Sequence, residues 1–208
     1  MVPAYVRDPA EIYRQSFAIV EGEADLSGLE GPMRDVAIRL IHSCGMVNIL
    51  DDLACSEGAA DAGKQALLDG KSVFCDVEMV RSGIIKRLLP ADNALICTLN
   101  DGGIREHAKA IGNTRSAAGV DRWNGQALDG AIAVIGNAPT ALFRLMERIE
   151  EGVPAPALII GIPVGFVGAV ESKAALADSG LPHIVVHGRR GGSAMASAVV
   201  NALAGGLA

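Results

Sequence analysis

Residues 131–151 decide the fold class and read AIAVIGNAPTALFRLMERIEE. The apolar run from Ala131 to Ile135 predicts a buried strand. A short loop at Gly136 and Asn137 then leads into a helix predicted for Pro139 to Glu151. A buried strand followed directly by a helix is the repeating unit of a parallel sheet, so this stretch predicts an α/β protein.

The same alternation runs through the rest of the chain. Further strands are predicted at Ser72 to Cys75, Ala94 to Leu99, Ala157 to Ile160 and His183 to His187. Further helices are predicted at Asp8 to about Ala24, Gly31 to Cys44, Gly58 to Leu68, Ile104 to Ile111, Arg115 to Leu128, Glu171 to Asp178 and Ser193 to Ala204. We expect a single domain over residues 1–208, with a mainly parallel sheet and helices on both faces.

Composition and charge exclude several classes of function. A net charge of -6 lacks the basic field that nucleic-acid and anionic-membrane binders use. The uncharged stretch from Gly152 to Val170 is interrupted by prolines and glycines, so we expect a buried strand there and no membrane span. The four cysteines form no CxxC pair, which favours free thiols without a metal, and the N-terminus lacks a signal-peptide pattern. We therefore expect a cytoplasmic protein.

Motifs for nucleotide binding and common hydrolytic chemistry are missing. The sequence contains no P-loop, no GxGxxG after a strand, no HExxH and no GxSxG. Asp76 and Glu78 follow a predicted strand and have two interpretations. They are either an acid and base pair or a cap and first-turn acid for a following helix.

His42 is the candidate proton donor. At about 100° per residue, the apolar stripe of its helix points one way and His42 points nearly opposite, beside Asp35 and Arg39. It therefore lies either in a pocket covered by a second element or a partner subunit, or on the solvated surface, and the helical geometry leaves both open. Carbonyl groups at the end of the helix are expected to raise its pKa, which suits a proton donor.

Two predicted helix starts are candidate anion sites, and the second of them follows a predicted strand, at the carboxyl edge where ligands of parallel sheets bind. Arg115 begins one of these helices and either grips a carboxylate or is simply solvated. Gly191, Gly192 and Ser193 form the other start, where Ser193 is alternatively an ordinary cap.

Six segments together resemble the precorrin-8X methylmutase family of vitamin B12 biosynthesis. They are LIHSCG at 40–45, CDVEMV at 75–80, GNTRSA at 112–117, IGNAPTALF at 135–143, GIPVGFVG at 161–168 with ESK at 171–173, and RGGSAM at 190–195. The segments stand in the order of the family, and the resemblance runs from about Tyr13 to Leu203.

The resemblance implies an isomerase that moves a methyl group from C11 to C12 of precorrin-8X to give hydrogenobyrinate, without an added cofactor. It implies a homodimer that can exchange tetrapyrroles with neighbouring pathway enzymes. His42 matches the catalytic histidine of the family. The expected substrate-binding residues are Ser16, Asn113, Thr114, Arg115, Ser116, Gly191, Gly192 and Ser193.

Three alternatives stay open at the level of the sequence. The substrate is cobalt-precorrin-8 of the anaerobic pathway, or the protein is a tetrapyrrole carrier without activity, or it is a methyltransferase that uses an external donor. No glycine fingerprint for a donor pocket supports the third alternative.

Overall fold

A computed structural model describes residues 2–123 and 125–207 of the chain. The strands of its six-stranded sheet are β1 (Leu53–Cys55), β2 (Val73–Cys75), β3 (Leu95–Ile96), β4 (Ile132–Ile135), β5 (Leu158–Gly161) and β6 (His183–Val186). The helices are α1 (Pro9–Glu23), α2 (Gly31–Cys44), α3 (Ala59–Leu68), α4 (Glu78–Gly83), α5 (Ile104–Ala110), α6 (Arg115–Asp121), α7 (Gly125–Leu128), α8 (Pro139–Glu150), α9 (Ala169–Asp178) and α10 (Ser193–Gly205). The prediction of an α/β fold with a mainly parallel sheet is confirmed.

The strand order is β1-β6-β5-β4-β2-β3, and every neighbouring pair is parallel except β1 with β6. β4 lies in the middle of the parallel strands, with Ile132 opposite both Val73 and Leu158. The carboxyl ends of β2 to β6 therefore meet at one edge of the sheet, where the loops into the following helices gather.

Alternate residues of the strands face two apolar layers. Ile132 and Val134 of β4 pack with the helices α1, α2, α3, α4 and α10, whereas Ala133 and Ile135 pack with the layer that contains α6, α8 and α9. The near-continuous burial of the central strands is what a parallel sheet covered on both faces requires.

The ends of the first two helices follow the sequence signals. Asp8 caps α1 by accepting a hydrogen bond from Glu11 N, and Pro9 is its first residue. Gly45 ends α2 in the left-handed conformation, with φ of 69°, and donates its N–H to Ile41 O. The predicted bounds of both helices are confirmed to within one residue.

Three elements differ from the prediction. The helix predicted over Arg115 to Leu128 is divided into α6 and α7, with Asn124 outside the described residues. The short strand β1 was not predicted, and the helix α4 was expected only in one of the two interpretations of Asp76 and Glu78, because each element is too short to show a period. No helix within the described residues is long and apolar enough to cross a membrane.

Candidate active site

The last turn of α2 presents His42 on the side opposite its buried stripe. Met33, Val36, Ala37 and Leu40 are buried in the core, whereas the side chain of His42 is partly exposed. The predicted orientation of His42 away from the apolar stripe is confirmed, whereas Arg39, which was expected on the same side as His42, is buried. The remaining question is which element covers the side on which His42 stands.

The helix α1 of the same chain packs against the imidazole of His42, which stays exposed on its other side. Tyr13, Ser16 and Phe17 are three and four residues apart, so they share one face of α1. The ring centroids of Tyr13 and Phe17 lie 5.4 Å and 5.3 Å from that of His42. The hydroxyl of Ser16 is 2.7 Å from Nδ1 of His42. The aromatic pair and this hydrogen bond fix the orientation of the imidazole ring.

The surroundings of His42 lower its pKa below 6.5, first because the ring is partly buried and second because Arg39 is close. The expected rise in pKa is therefore wrong. Its assumed cause, free carbonyl groups at the end of α2, is weakened because these carbonyls are occupied. Leu40 O accepts from Ser43 Oγ, and Ile41 O accepts from Gly45 N. Burial and the charge of Arg39 both favour the neutral form of the imidazole in the free protein.

Arg39 lies one turn before His42 and is only 5% exposed. Its Nε donates to Gly206 O near the end of α10, and its guanidinium lies 5.7 Å from the centre of the Phe17 ring. The charge is held against an aromatic face, an arrangement that a guanidinium favours. Arg39 thus brings a fixed positive charge to the same cavity as His42.

A cavity of about 450 Å³ opens beside His42. Its opposite wall is α10, which contributes Ser193, Ser197 and Asn201 at intervals of four residues. Asn201 is fully engaged there, because its Oδ1 accepts from Ile85 N and its Nδ2 donates to Gly83 O. The remaining wall includes Tyr13, Arg39 and Met79.

Ser193 is different from its neighbours on α10. It is 7% exposed, and its Oγ has no hydrogen-bond partner among the described residues. It is the first residue of α10, so backbone N–H groups of the first turn lie beside the hydroxyl. A buried donor group without a partner at a helix start, in the wall of a cavity, is suited to an anionic group of a ligand.

The loop before Ser193 depends on two glycines. A side chain at Gly191 would lie 2.5 Å from Ile162 O, and Gly192 has φ of 126°. Gly192 also donates its N–H to Ile162 O. These contacts fix the loop against the segment that follows β5. Gly191 lines a second cavity of about 300 Å³ together with Met195 and Phe166, on the other side of the start of α10.

A third cavity of about 660 Å³ shares Tyr13 with the cavity of His42. We call it the α1 groove, since one wall is formed by Pro9, Tyr13, Phe17 and Glu21 of α1. Arg87 and Leu207 contribute to the opposite wall. His42 therefore stands next to a chain of adjoining spaces rather than in one closed pocket.

Asn113, Thr114, Arg115 and Ser116 lie at the start of α6, in the layer on the other face of the sheet. Thr114 caps α6 by accepting from Ala117 N, and its hydroxyl is 2.8 Å from that of Thr140. Within the described residues, this group does not contribute to the wall of the His42 cavity. The side chain of Arg115 is exposed.

Asp76 is hydrogen-bonded to backbone N–H groups at the edge of the sheet. Its carboxylate accepts N–H groups from Gly136, Asn137 and Ala138 at 2.9 to 3.0 Å. It therefore fixes the loop before α8 and does not cap α4, which begins after Val77. Glu78 is a first-turn acid of α4 and pairs with Arg81 at 2.6 Å. The interpretation as an acid and base pair loses its support, because both groups are engaged.

Sequence reasoning did not assign Tyr13, Phe17, Arg39 and Asn201 to the site. A signal for the first two was present, since Tyr13, Ser16 and Phe17 have the spacing of one helical face. No comparable signal existed for Asn201, which reaches the cavity only through the packing of α10 on α2 and α4.

Comparisons with known proteins identify the family to which the chain is similar. The family model described as precorrin-8X methylmutase matches residues 11–205. A precorrin-8X methylmutase of Pseudomonas aeruginosa is 54% identical over 96% of this chain and 97% of its own length. A cobalt-precorrin-8 methylmutase of Salmonella typhimurium is 38% identical over 96% of each chain.

Solved structures are similar as well. The precorrin-8X methylmutase of Thermus thermophilus superimposes with a TM-score of 0.84 at 37% identity, over 93% of this chain and 94% of the other. A protein described as related to precorrin-8X methylmutase gives a TM-score of 0.80 at 39% identity, over 89% of this chain and 96% of the other.

Proposed function

The chain belongs to the precorrin-8X methylmutase family and is an isomerase of cobalamin biosynthesis; from this premise we propose that its substrate is metal-free precorrin-8X and that His42 is its proton donor. The reaction is the shift of a methyl group from C11 to C12 within the tetrapyrrole. The observation that carries the assignment of His42 is its hydrogen bond to Ser16 beside a cavity with Arg39 in its wall.

The hydrogen bond to Ser16 defines a role for each ring nitrogen. When Nδ1 accepts from the Ser16 hydroxyl, the proton of neutral His42 lies on Nε2. Nε2 then donates to a ring nitrogen of the substrate. An intramolecular methyl shift rearranges bonds within the substrate, so the protein needs to supply one proton or hydrogen bond and a fixed geometry.

Substrate binding prepares His42 for this role. In the free protein the pKa of His42 is lowered by burial and by Arg39. A bound polycarboxylate adds negative charge next to Arg39 and His42, which favours the imidazolium. In the imidazolium Nδ1 carries a proton as well and donates it to the Ser16 hydroxyl, while Nε2 keeps the proton that it offers to the substrate.

The carboxylates of the substrate need separate partners. Gly191, Gly192 and Ser193 offer one set at the start of α10, supported by the unpartnered hydroxyl of Ser193. Asn113, Thr114, Arg115 and Ser116 are a second set at the start of α6. Because this second set lies on the other face of the sheet, its role requires a substrate or a second subunit that spans the edge of the sheet.

The choice of the metal-free substrate rests on similarity. Two relatives named precorrin-8X methylmutase are 54% and 48% identical to this chain. Those named cobalt-precorrin-8 methylmutase from Salmonella typhimurium and Leptospira interrogans are 38% and 35% identical. We further propose a homodimer that works in the cytoplasm and exchanges tetrapyrroles with the enzymes before and after it.

The test is an assay of the purified protein with each substrate and no methyl donor. We expect metal-free precorrin-8X to give a product of unchanged mass with the spectrum of hydrogenobyrinate. Turnover of the cobalt form alone would contradict the choice of substrate. Binding without conversion would indicate a carrier, and a strict requirement for a donor would indicate a methyltransferase.

A further inference from the structure

The α1 groove has no assigned role, although it adjoins the cavity of His42 through Tyr13. Drug-sized ligands occupy pockets of about 300 to 1,000 Å³, and a tetrapyrrole with several acidic side chains is larger than most of them. The cavity of His42, at about 450 Å³, is therefore too small to hold such a substrate with all its side chains. Parts of the ligand must extend into neighbouring spaces, and the α1 groove, at about 660 Å³, shares Tyr13 with the cavity of His42.

The charges around the α1 groove differ in whether they are paired. Arg14 forms two hydrogen bonds with Glu11, and Glu21 forms an ion pair with Arg34 at 3.0 Å. Arg87 also lines the groove, but within the described residues it has neither a hydrogen bond nor an ion pair. Arg87 can therefore pair with an anionic group of a ligand in the α1 groove.

Arg87 also acts on Arg39 across the boundary of the two cavities. Arg39 lines the cavity of His42, and the charge of Arg87 adds to burial in lowering the pKa of Arg39. Asp35 and Tyr13 oppose this effect. An anion in the α1 groove would lie next to Arg87 and would reduce this repulsion. A carboxylate is suited to this place, because a guanidinium can grip it with two hydrogen bonds.

We propose that Arg87 binds a peripheral carboxylate of the tetrapyrrole, so that the α1 groove holds one acidic side chain of the substrate whose ring faces His42. This inference rests on the proposed function, since it concerns the same ligand. It makes Arg87 a substrate-binding residue with no part in the proton transfer.

The residue before Arg87 provides a matched control. Lys86 stands in the same short 3-10 turn, Lys86 to Leu88, and carries the same charge. It lines a separate cavity of about 490 Å³ with Arg81 and Asn93. Lys86→Gln therefore removes an equal charge from nearly the same position without touching the α1 groove.

Steady-state kinetics with metal-free precorrin-8X and titration with hydrogenobyrinate test the inference. For Arg87→Gln we expect KM and the product Kd to rise about tenfold, which is about 1.4 kcal/mol, with kcat nearly unchanged. Lys86→Gln is expected to keep the wild-type values. Equal effects of both substitutions, or no effect of Arg87→Gln, would overturn the inference.

A second titration separates direct contact from a change of structure. Product whose carboxylates are converted to neutral amides can no longer pair with Arg87. We expect wild type and Arg87→Gln to bind this amide with equal Kd, whereas a persistent difference would overturn the inference. Failure of the wild type to convert precorrin-8X would instead refute the proposed function and this inference with it.

Discussion

His42 and His107 lie in layers on opposite faces of the sheet, and their partners differ in kind. His107 of α5 places Nε2 2.8 Å from Asp121 Oδ2, and Asp121 also accepts from Arg144 at 2.6 Å. Arg144 extends this network to Glu147 and Glu151. His42 has a neutral hydroxyl partner, two aromatic rings and a nearby positive charge instead.

The groups around His107 stabilise the fold by pairing with one another, whereas we propose that the groups around His42 pair with a ligand. Around His107, each positive group of the network lies next to a carboxylate, so the network is complete without a ligand. Around His42, Ser193 Oγ and Arg87 have no partner within the described residues. Ser193 is buried whereas Arg87 is exposed, so it is the unpartnered hydroxyl of Ser193 that supports the proposal that substrate binds on this side.

The largest expected effect on stability is in the charge network around His107. Asp121→Ala leaves Arg144 and His107 without their shared carboxylate. We expect the free energy of unfolding in urea to fall by about 3 kcal/mol, with kcat unchanged. Glu151→Gln, which removes an exposed partner of Arg144, is the control and should cost less than about 1 kcal/mol. A loss of kcat in folded Asp121→Ala would contradict this division of roles.

A somewhat smaller effect is expected from Lys173, a buried cation without a carboxylate at hydrogen-bond distance among the described residues. Its Nζ donates to Arg190 O at 2.8 Å, and burial lowers its pKa from 10.5 to about 8. Between these two pH values the unfolded chain holds the proton and the folded protein does not, so stability rises with pH.

The measurement for Lys173 is unfolding in urea from pH 7.5 to 10.5, compared with Lys173→Met. Cysteine groups also titrate in this range, and the variant shares their contribution. We expect the wild type to gain about 2 kcal/mol relative to Lys173→Met as the pH rises. A constant difference between the two proteins would show that the pKa of Lys173 is not lowered.

Ser16→Ala removes the hydroxyl that is hydrogen-bonded to His42, where His107 has the carboxylate of Asp121 instead. Loss of one hydrogen bond of about 1 kcal/mol should lower kcat between fivefold and tenfold, because the ring of His42 is then less well oriented. The urea midpoint should stay unchanged. Ser179→Ala is the control, because it removes a hydroxyl that donates to Leu176 O and accepts from Leu181 N outside the cavity of His42. Equal kcat for Ser16→Ala and wild type would remove Ser16 from the site.

The smallest expected effect is a change of pKa without loss of fold. Arg39→Gln removes a positive charge that lowers the pKa of His42, so the pKa measured by NMR in the free protein should rise. Arg34→Gln, on the same helix but paired with Glu21, should leave it unchanged. A fall in the pKa of His42 on removal of Arg39 would contradict the electrostatics described above.

The regular parts of the fold could be predicted from the sequence because they depend on local signals. The bounds of α2 follow from Gly31-Pro32, the apolar stripe and Gly45. β1 was missed because its three residues become a strand only by pairing with β6, which lies more than 100 residues away in the chain. Likewise, the break between α6 and α7 is not visible in the hydrophobic pattern.

Only part of the candidate site could be predicted from the sequence. The period of α2 set the side on which His42 stands, but the family resemblance was needed to choose a pocket over the surface. The direction of its pKa shift depends on the rings of Tyr13 and Phe17 and on Arg39, which come together through packing of α1 on α2. The substrate-binding role of Arg115 and its neighbours stays a prediction.

The central claim is that His42 supplies the proton and His107 does not, and the matched substitutions His42→Gln and His107→Gln test it most directly. Loss of a general acid costs about 100-fold to 10,000-fold, so kcat of His42→Gln with precorrin-8X should fall by about 1,000-fold. Its Kd for hydrogenobyrinate should stay within about threefold, because other contacts supply most of the affinity. His107→Gln should keep the wild-type kcat. A folded His42→Gln protein that turns over at the wild-type rate would contradict the claim.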